Sequence, residues 1–135
     1  MHKVVSCLLL NKEGEILILK RSKKVKTYKG MWGVVAGYIE KDEKPFDTAI
    51  KEIKEEIGLN KNDVKFVKGL DAIKLMDYYN KEKYDWLIFP FVFNIKKKDK
   101  INIDWEHLEY RWIKPSQIKN YKTVPYLKEM VLEIM

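Results

Sequence analysis

Apolar residues recur along this chain with two different spacings, and the switches between them mark out its elements. Residues 4–10 (Val-Val-Ser-Cys-Leu-Leu-Leu) are a nearly continuous apolar run of strand length, the pattern of a strand buried on both faces. Asn11-Lys12-Glu13-Gly14 supplies turn residues and 15–21 alternates through a second strand, so the two runs predict a hairpin. A polar loop carrying Lys23, Lys24, Lys26 and Lys29 fills 22–30, and a short apolar strand is predicted over 31–36. From Pro45 the spacing lengthens to that of a helix. At about 100° per residue, Phe46, Ile50, Ile53 and Ile57 fall in a stripe roughly 60° wide. Pro45 suits the first helical turn, and Gly58 suits a left-handed residue just past the end. Beyond the turn Lys61-Asn62-Asp63, 64–75 and 84–95 predict two long strands, joined by a polar aromatic link containing Asp77, Tyr78, Tyr79 and Asn80. A charged turn at 96–100, a short helix start at 115–119 and a terminal helix over 125–134, with Leu127, Val131 and Ile134 on one side, complete the chain. With no internal repeat and no linker, strands around one central and one terminal helix predict a single α/β domain over 1–135.

The central helix also carries acid. With Glu52 set at zero on the same wheel, Glu56 falls roughly at +40° and Glu55 roughly at −60°, so three carboxylates share one face. Like charges at these spacings cost an isolated helix only a few tenths of a kcal/mol per pair, so an acidic face alone is compatible with plain solvated surface. The setting changes that reading, because Gly37 and the further acids Glu40, Asp42 and Glu43 lie in the loop just before the helix. Clustered carboxylate oxygens with no soft ligand nearby are what hard divalent cations such as Mg²⁺ or Mn²⁺ select. Crowding would also raise the carboxyl pKa values in the absence of metal, so metal-free and metal-loaded forms should titrate differently.

The stretch 37–59 resembles the Nudix box, G-x5-E-x7-R-E-U-x-E-E-x-G-U with U an apolar aliphatic residue. Gly37, Glu43, Glu52, Ile53, Glu55, Glu56, Gly58 and Leu59 fill its fixed positions, and Lys51 stands where the family has arginine. Val35-Ala36-Gly37 occupies the place of a common Pro-Gly-Gly. The later run Asp104-Trp105-Glu106-His107-Leu108-Glu109-Tyr110-Arg111-Trp112 looks like the E-H-x-E-x-x-W stretch of many Nudix proteins. The resemblance implies a mixed β-sheet sandwiched between α-helices, with the box as loop, helix and loop. By position, Glu52, Glu55 and Glu56 would hold Mg²⁺ or Mn²⁺ together with the Ala36 carbonyl. Glu106 would fold over the metals as a ligand or base, and Glu52 or Glu106 would take the proton from water. Glu43 is expected to organise the loop and His107 to make a structural hydrogen bond. Lys51 is expected at the catalytic centre within reach of Glu55, orienting it less firmly than a bidentate arginine. Around the lysine-rich loop, Arg21 and Lys23 are the candidate cations for phosphate oxygens and Tyr28 a candidate stacking partner for a base.

The implied activity is metal-dependent hydrolysis of the pyrophosphate linkage in a nucleoside diphosphate joined to a further group. A (deoxy)nucleoside triphosphate, cut to monophosphate and pyrophosphate, leads in a small MutT-like domain without additions. No proline follows the box by about 15 residues (Lys74 and Leu75 stand there), and Tyr78 and Tyr79 lie too far on to mark a dinucleoside polyphosphate hydrolase. The alternatives are a dinucleoside polyphosphate or ADP-sugar pyrophosphatase, an RNA 5′-end or cap hydrolase, and a non-catalytic nucleotide sensor, against which the intact acidic triplet speaks.

Composition narrows this a little further. Hydrophobic residues at 46% with 35% charged suit a globular domain, and no apolar run approaches the ~20 residues that cross a bilayer. One cysteine rules out an internal disulfide, and with no leader pattern the expectation is cytoplasmic. The net charge of +7 comes from lysines scattered along the chain, with only Arg21 and Arg111 as arginines. That scatter fits compositional bias or heat adaptation better than a nucleic-acid stripe. The expected partner is therefore a small nucleotide; nucleic acid is less favoured, no membrane is involved and a homodimer stays open.

Overall fold

The first strand, β1 (His2–Leu10), is the axis on which the sheet is built. Its residues alternate between two buried faces, Val4 and Leu8 on one and Val5, Cys7 and Leu9 on the other. That is why the sequence shows a run rather than an alternation. A computed structural model describes residues 1–97 and 100–135. Along one edge β1 pairs in parallel with β7 (Glu82–Ile95), from His2 opposite Trp86 to Leu10 opposite Asn94. The other edge is shared. β2 (Ile16–Arg21) meets it only at Leu10 and Ile16, and β4 (Val35–Tyr38) pairs antiparallel with Val4 to Cys7. The expected hairpin therefore splays after one pair, and β2 goes on to bond β3 (Trp32–Gly33) and β8 (His107–Ile113).

Other boundaries also move. The strand expected over 31–36 is two pieces, because β3 follows β2 and β4 follows β1. The strand expected over 64–75 breaks into β5 (Val64–Gly69) and β6 (Ile73–Tyr79), both antiparallel to β7. The polar aromatic link is itself strand up to Tyr79. Asn80 and Lys81, both at positive φ (54° and 68°), close a two-residue hairpin of the primed type that matches strand twist. Of the charged turn expected at 96–100, residues 98–99 lie outside the described residues.

Two helices cover the sheet, as the α/β sandwich requires. α1 (Pro45–Ile57) packs Ala49, Ile53 and Ile57 on the face of Val5, Cys7, Leu9 and Phe93. Pro45 opens it, and Gly58 ends it in the left-handed region at φ 74°, its amide bonded to the Lys54 carbonyl. α2 (Leu127–Ile134) packs Leu127, Met130 and Val131 on the opposite face, with Leu8, Ile18 and Ile88. No helix among the described residues is long and apolar enough to cross a membrane.

Candidate active site

The acidic side of α1 does not face solvent. Glu52 is 9% exposed and Glu56 1%, because both lean over β4 and only Glu55 projects outward. Glu56 is held at both oxygens: Oε2 accepts the Ala36 amide at 3.2 Å and Oε1 lies 2.8 Å from His107 Nε2. An extended residue turns its N–H and C=O to the same side, so the Ala36 carbonyl faces the acids as well. Gly37 makes room for Glu52, since a Cβ there would land on its carboxyl group. The expected structural bond of His107 is thus a bond to the acid itself.

Ala36, Gly37 and Glu52 edge a cavity of about 390 Å³, with Glu56 and His107 buried behind its lining, within the range of small-molecule sites. Its lining includes the acids Glu52, Glu55 and Glu106 together with Ala36 and Gly37. Arg21 and Lys51 are the cations of the lining, and Tyr28, Tyr38 and Trp86 form an aromatic wall. The Tyr38 and Trp86 rings lie 6.1 Å apart at 35°, and His2 extends the wall 5.2 Å from Trp86. Arg21 is anchored by its Nε on the Thr27 carbonyl at 2.9 Å. Tyr28, at φ 53°, donates its hydroxyl to Asp77 Oδ2 at 2.8 Å and accepts from Trp86 Nε1 at 3.3 Å, so it offers a ring face rather than a free hydroxyl.

Two expectations are corrected. Lys23 is exposed and does not line the cavity; the loop turns Thr27 and Tyr28 inward instead. Lys51 reaches back to Glu43 Oε2 at 2.8 Å rather than to Glu55. Glu43 Oε1 in turn accepts the Glu40 amide (2.9 Å) and the Thr48 hydroxyl (3.0 Å), so Glu43 does organise the loop. Lys51→Arg is expected to raise turnover a few-fold, because a planar fork can grip Glu43 and still present an N–H to the acids. Stability should change by less than about 1 kcal/mol, since the pair is partly exposed; unchanged or lower turnover would count against this role.

Among the lining residues that sequence reasoning missed are Tyr38, Thr27 and Tyr126. Tyr38 sits at a variable box position, directly after Gly37, and that adjacency was the available signal. Thr27 and Tyr126 carried none: Tyr126 enters from the start of α2 in a left-handed conformation (φ 75°), its phenol oxygen accepting from Ser6.

The electrostatics are those of an uncompensated anionic site. Burial, then the charges of Glu55 and Glu106, push the Glu52 carboxyl up to about 7. Burial, then Glu106, Glu52 and Asp104, raise Glu56 well above the carboxylate range. Glu106 is raised by burial and Asp104, against the pull of Arg21. Burial, helped by Arg21, lowers His107 to about 4, so its ring is neutral. Among the described residues no three histidine, cysteine or acidic side chains already close on one ion-sized point. The oxygen-only donor set and its unbalanced charge nevertheless fit a divalent cation, which Glu52, Glu55, Glu56, Glu106 and the Ala36 carbonyl could hold.

Comparison with known proteins agrees with the fold and the box. The family model of the NUDIX domain matches residues 1–134. The nucleoside triphosphatase NudI of Escherichia coli K12 is 23% identical over 123 residues, 89% of this chain and 87% of that protein. Among solved structures, the MutT protein of Methanosarcina mazei Go1 matches with a TM-score of 0.75 at 22% identity, over 98% of this chain and 91% of that one. A C. elegans Ap4A hydrolase matches with a TM-score of 0.80 at 16% identity, over 99% and 95%. With the family model covering nearly all of it, this chain belongs to the Nudix family, as a Nudix pyrophosphohydrolase.

Proposed function

We propose that the chain hydrolyses a (deoxy)nucleoside triphosphate to the monophosphate and pyrophosphate, with Mg²⁺ or Mn²⁺ as cofactor. The observation that carries this reading is one cavity lined both by clustered carboxylates and by aromatic rings. That lining suits a ligand with a polyphosphate tail and a flat base. The E. coli relative named as a nucleoside triphosphatase supports the choice of substrate. A bound divalent cation would neutralise phosphate charge and lower the pKa of water.

The chain's own groups then have separable tasks. Glu52, Glu55 and Glu56 would hold the cation with the Ala36 carbonyl and Glu106. The Arg21 guanidinium, fixed by Thr27, meets phosphate oxygens. Tyr38 and Trp86 stack the base, a contact any nucleobase can make. Glu52 or Glu106 accepts the proton as a water oxygen bonds to phosphorus and the bridging P–O bond breaks. The lining cations are Arg21 and Lys51, and Lys51 is paired with Glu43, which favours a small nucleotide over an RNA end.

The test is product analysis with a nucleotide panel and either cation. Nucleoside triphosphates should be cut fastest, releasing pyrophosphate and little orthophosphate, and chelation should stop the reaction. Faster cleavage of dinucleoside polyphosphates, ADP-sugars or capped RNA would replace the substrate assignment.

A further inference from the structure

The loop leading into β8 is fastened to α1 at several points, and Glu56 supplies two of them. The Asn102 amide donates to the Ile57 carbonyl at 2.9 Å and the Asp104 amide to the Glu56 carbonyl at 3.1 Å. Further along, His107 Nε2 meets Glu56 Oε1 at 2.8 Å, with both side chains almost fully buried. Glu106 lies between these attachments. Its amide donates to Asp104 Oδ1 at 3.1 Å and its carbonyl accepts from Ser22 at 2.8 Å, which leaves the side chain to line the cavity.

The strand register adds a second observation. β2 and β8 pair regularly from Ile16–Ile113 to Lys20–Glu109, then slip so that Arg21 faces His107. Leu108 is the extra residue and is left exposed, while His107 beyond it turns inward. Such a bulge re-aims a side chain. His107 Nδ1 is buried with no hydrogen-bond partner among the described residues. A bare acceptor is cheaper to bury than an unpaired N–H, so Nδ1 is the bare nitrogen and the ring proton sits on Nε2, donated to Glu56 Oε1.

Resting on the proposed function, we infer that His107 is a positioning residue. Its bond to Glu56 Oε1 latches the loop onto α1 and so sets where the Glu106 carboxylate stands. Glu56 thereby serves twice, as an acid of the site and as the post to which the opposing acid is tied. Losing a bond that orients such a group from behind costs activity, although the bonding residue never touches substrate.

The test compares His107→Gln, His107→Asn and His107→Leu on the best nucleotide at saturating Mg²⁺. Glutamine carries a donor near the place of Nε2, asparagine only near that of Nδ1, and leucine none. His107→Gln should keep kcat within about threefold, while the other two lose about 10- to 100-fold in kcat with KM changed less than about twofold. His107→Leu combined with Glu106→Gln should be no slower than Glu106→Gln alone, because the two act through one group. Equal losses for glutamine and leucine, or losses that multiply in the double variant, overturn the latch. If His107→Leu misfolds, the contrast between glutamine and asparagine decides the same question. Glu52→Gln is measured alongside: if it keeps full activity, the acidic-site reading falls and the latch with it. If Glu52→Gln is inactive while every His107 variant matches the parent, only the latch falls.

Discussion

Replacing Glu56 with glutamine should leave a folded protein with almost no turnover. The substitution keeps the shape and removes one charge from a buried cation site. Charge stabilisation by such a site is worth several kcal/mol, and at about 1.4 kcal/mol per tenfold this is a loss of roughly a thousandfold. In metal-free protein the substitution should remove part of the pH dependence of stability. Glu56 holds its proton more tightly folded than unfolded, and so does Glu52, which titrates near 7 in the fold against 4.5 in the open chain. The folded state therefore binds more protons across that window, and stability falls as pH rises through it. Calorimetry in chelator should show the parent's melting temperature declining between about pH 4.5 and 7, and declining further until Glu56 ionises. The Glu56→Gln profile should be flatter, and Mg²⁺ should raise the parent's melting temperature but not the variant's. Parental turnover in Glu56→Gln would sink the site assignment.

Gly37→Ala should separate fold from function. Gly37 does not occupy the left-handed region, so the backbone tolerates alanine; the obstacle is the Glu52 carboxyl group, where the new methyl would land. The Glu52 side chain must turn away from Cγ outward to clear the methyl, so the melting temperature should fall by no more than about 8 °C. Misplacing a reacting group by about 1 Å can cost about 100-fold, and kcat should fall by that order. A crystal structure of the variant with Glu52 unmoved, or a variant of parental activity, would refute the account.

Much of this was legible in the residues because it is local. The period change at Pro45, the closing Gly58 and the carboxylate spacing of Glu52, Glu55 and Glu56 all lie within one helix, where geometry follows from sequence separation. The same is true of the two-faced burial of β1. What failed was partnership between distant segments. The spacing places Lys51 one turn from Glu55, and nothing in it shows that a lysine stem folds back to a loop acid eight positions earlier. Apolar character runs through Gly69 and Leu70, so the break between β5 and β6 was hidden; it falls where the register against β7 slips by one residue, from Gly69–Phe91 to Ile73–Ile88. Tyr28 reads as a free ring with a hydroxyl, yet Asp77 and Trp86, on other strands, occupy that hydroxyl.

The parallel pairing of β1 with β7 has a consequence for how the protein comes into being. Contacts between segments so far apart in the chain raise contact order and slow folding. On the ribosome, β1 emerges before β7 and must wait, apolar on both faces, until residues 86–94 have left the exit tunnel. During that interval β2 and β4 can pair with one edge of it, while the edge that takes β7 stays open. Nascent chains stalled before β7 should accordingly bind chaperones and remain protease-sensitive, and lowering the hydrophobicity of residues 4–10 would ease synthesis while weakening the finished sheet.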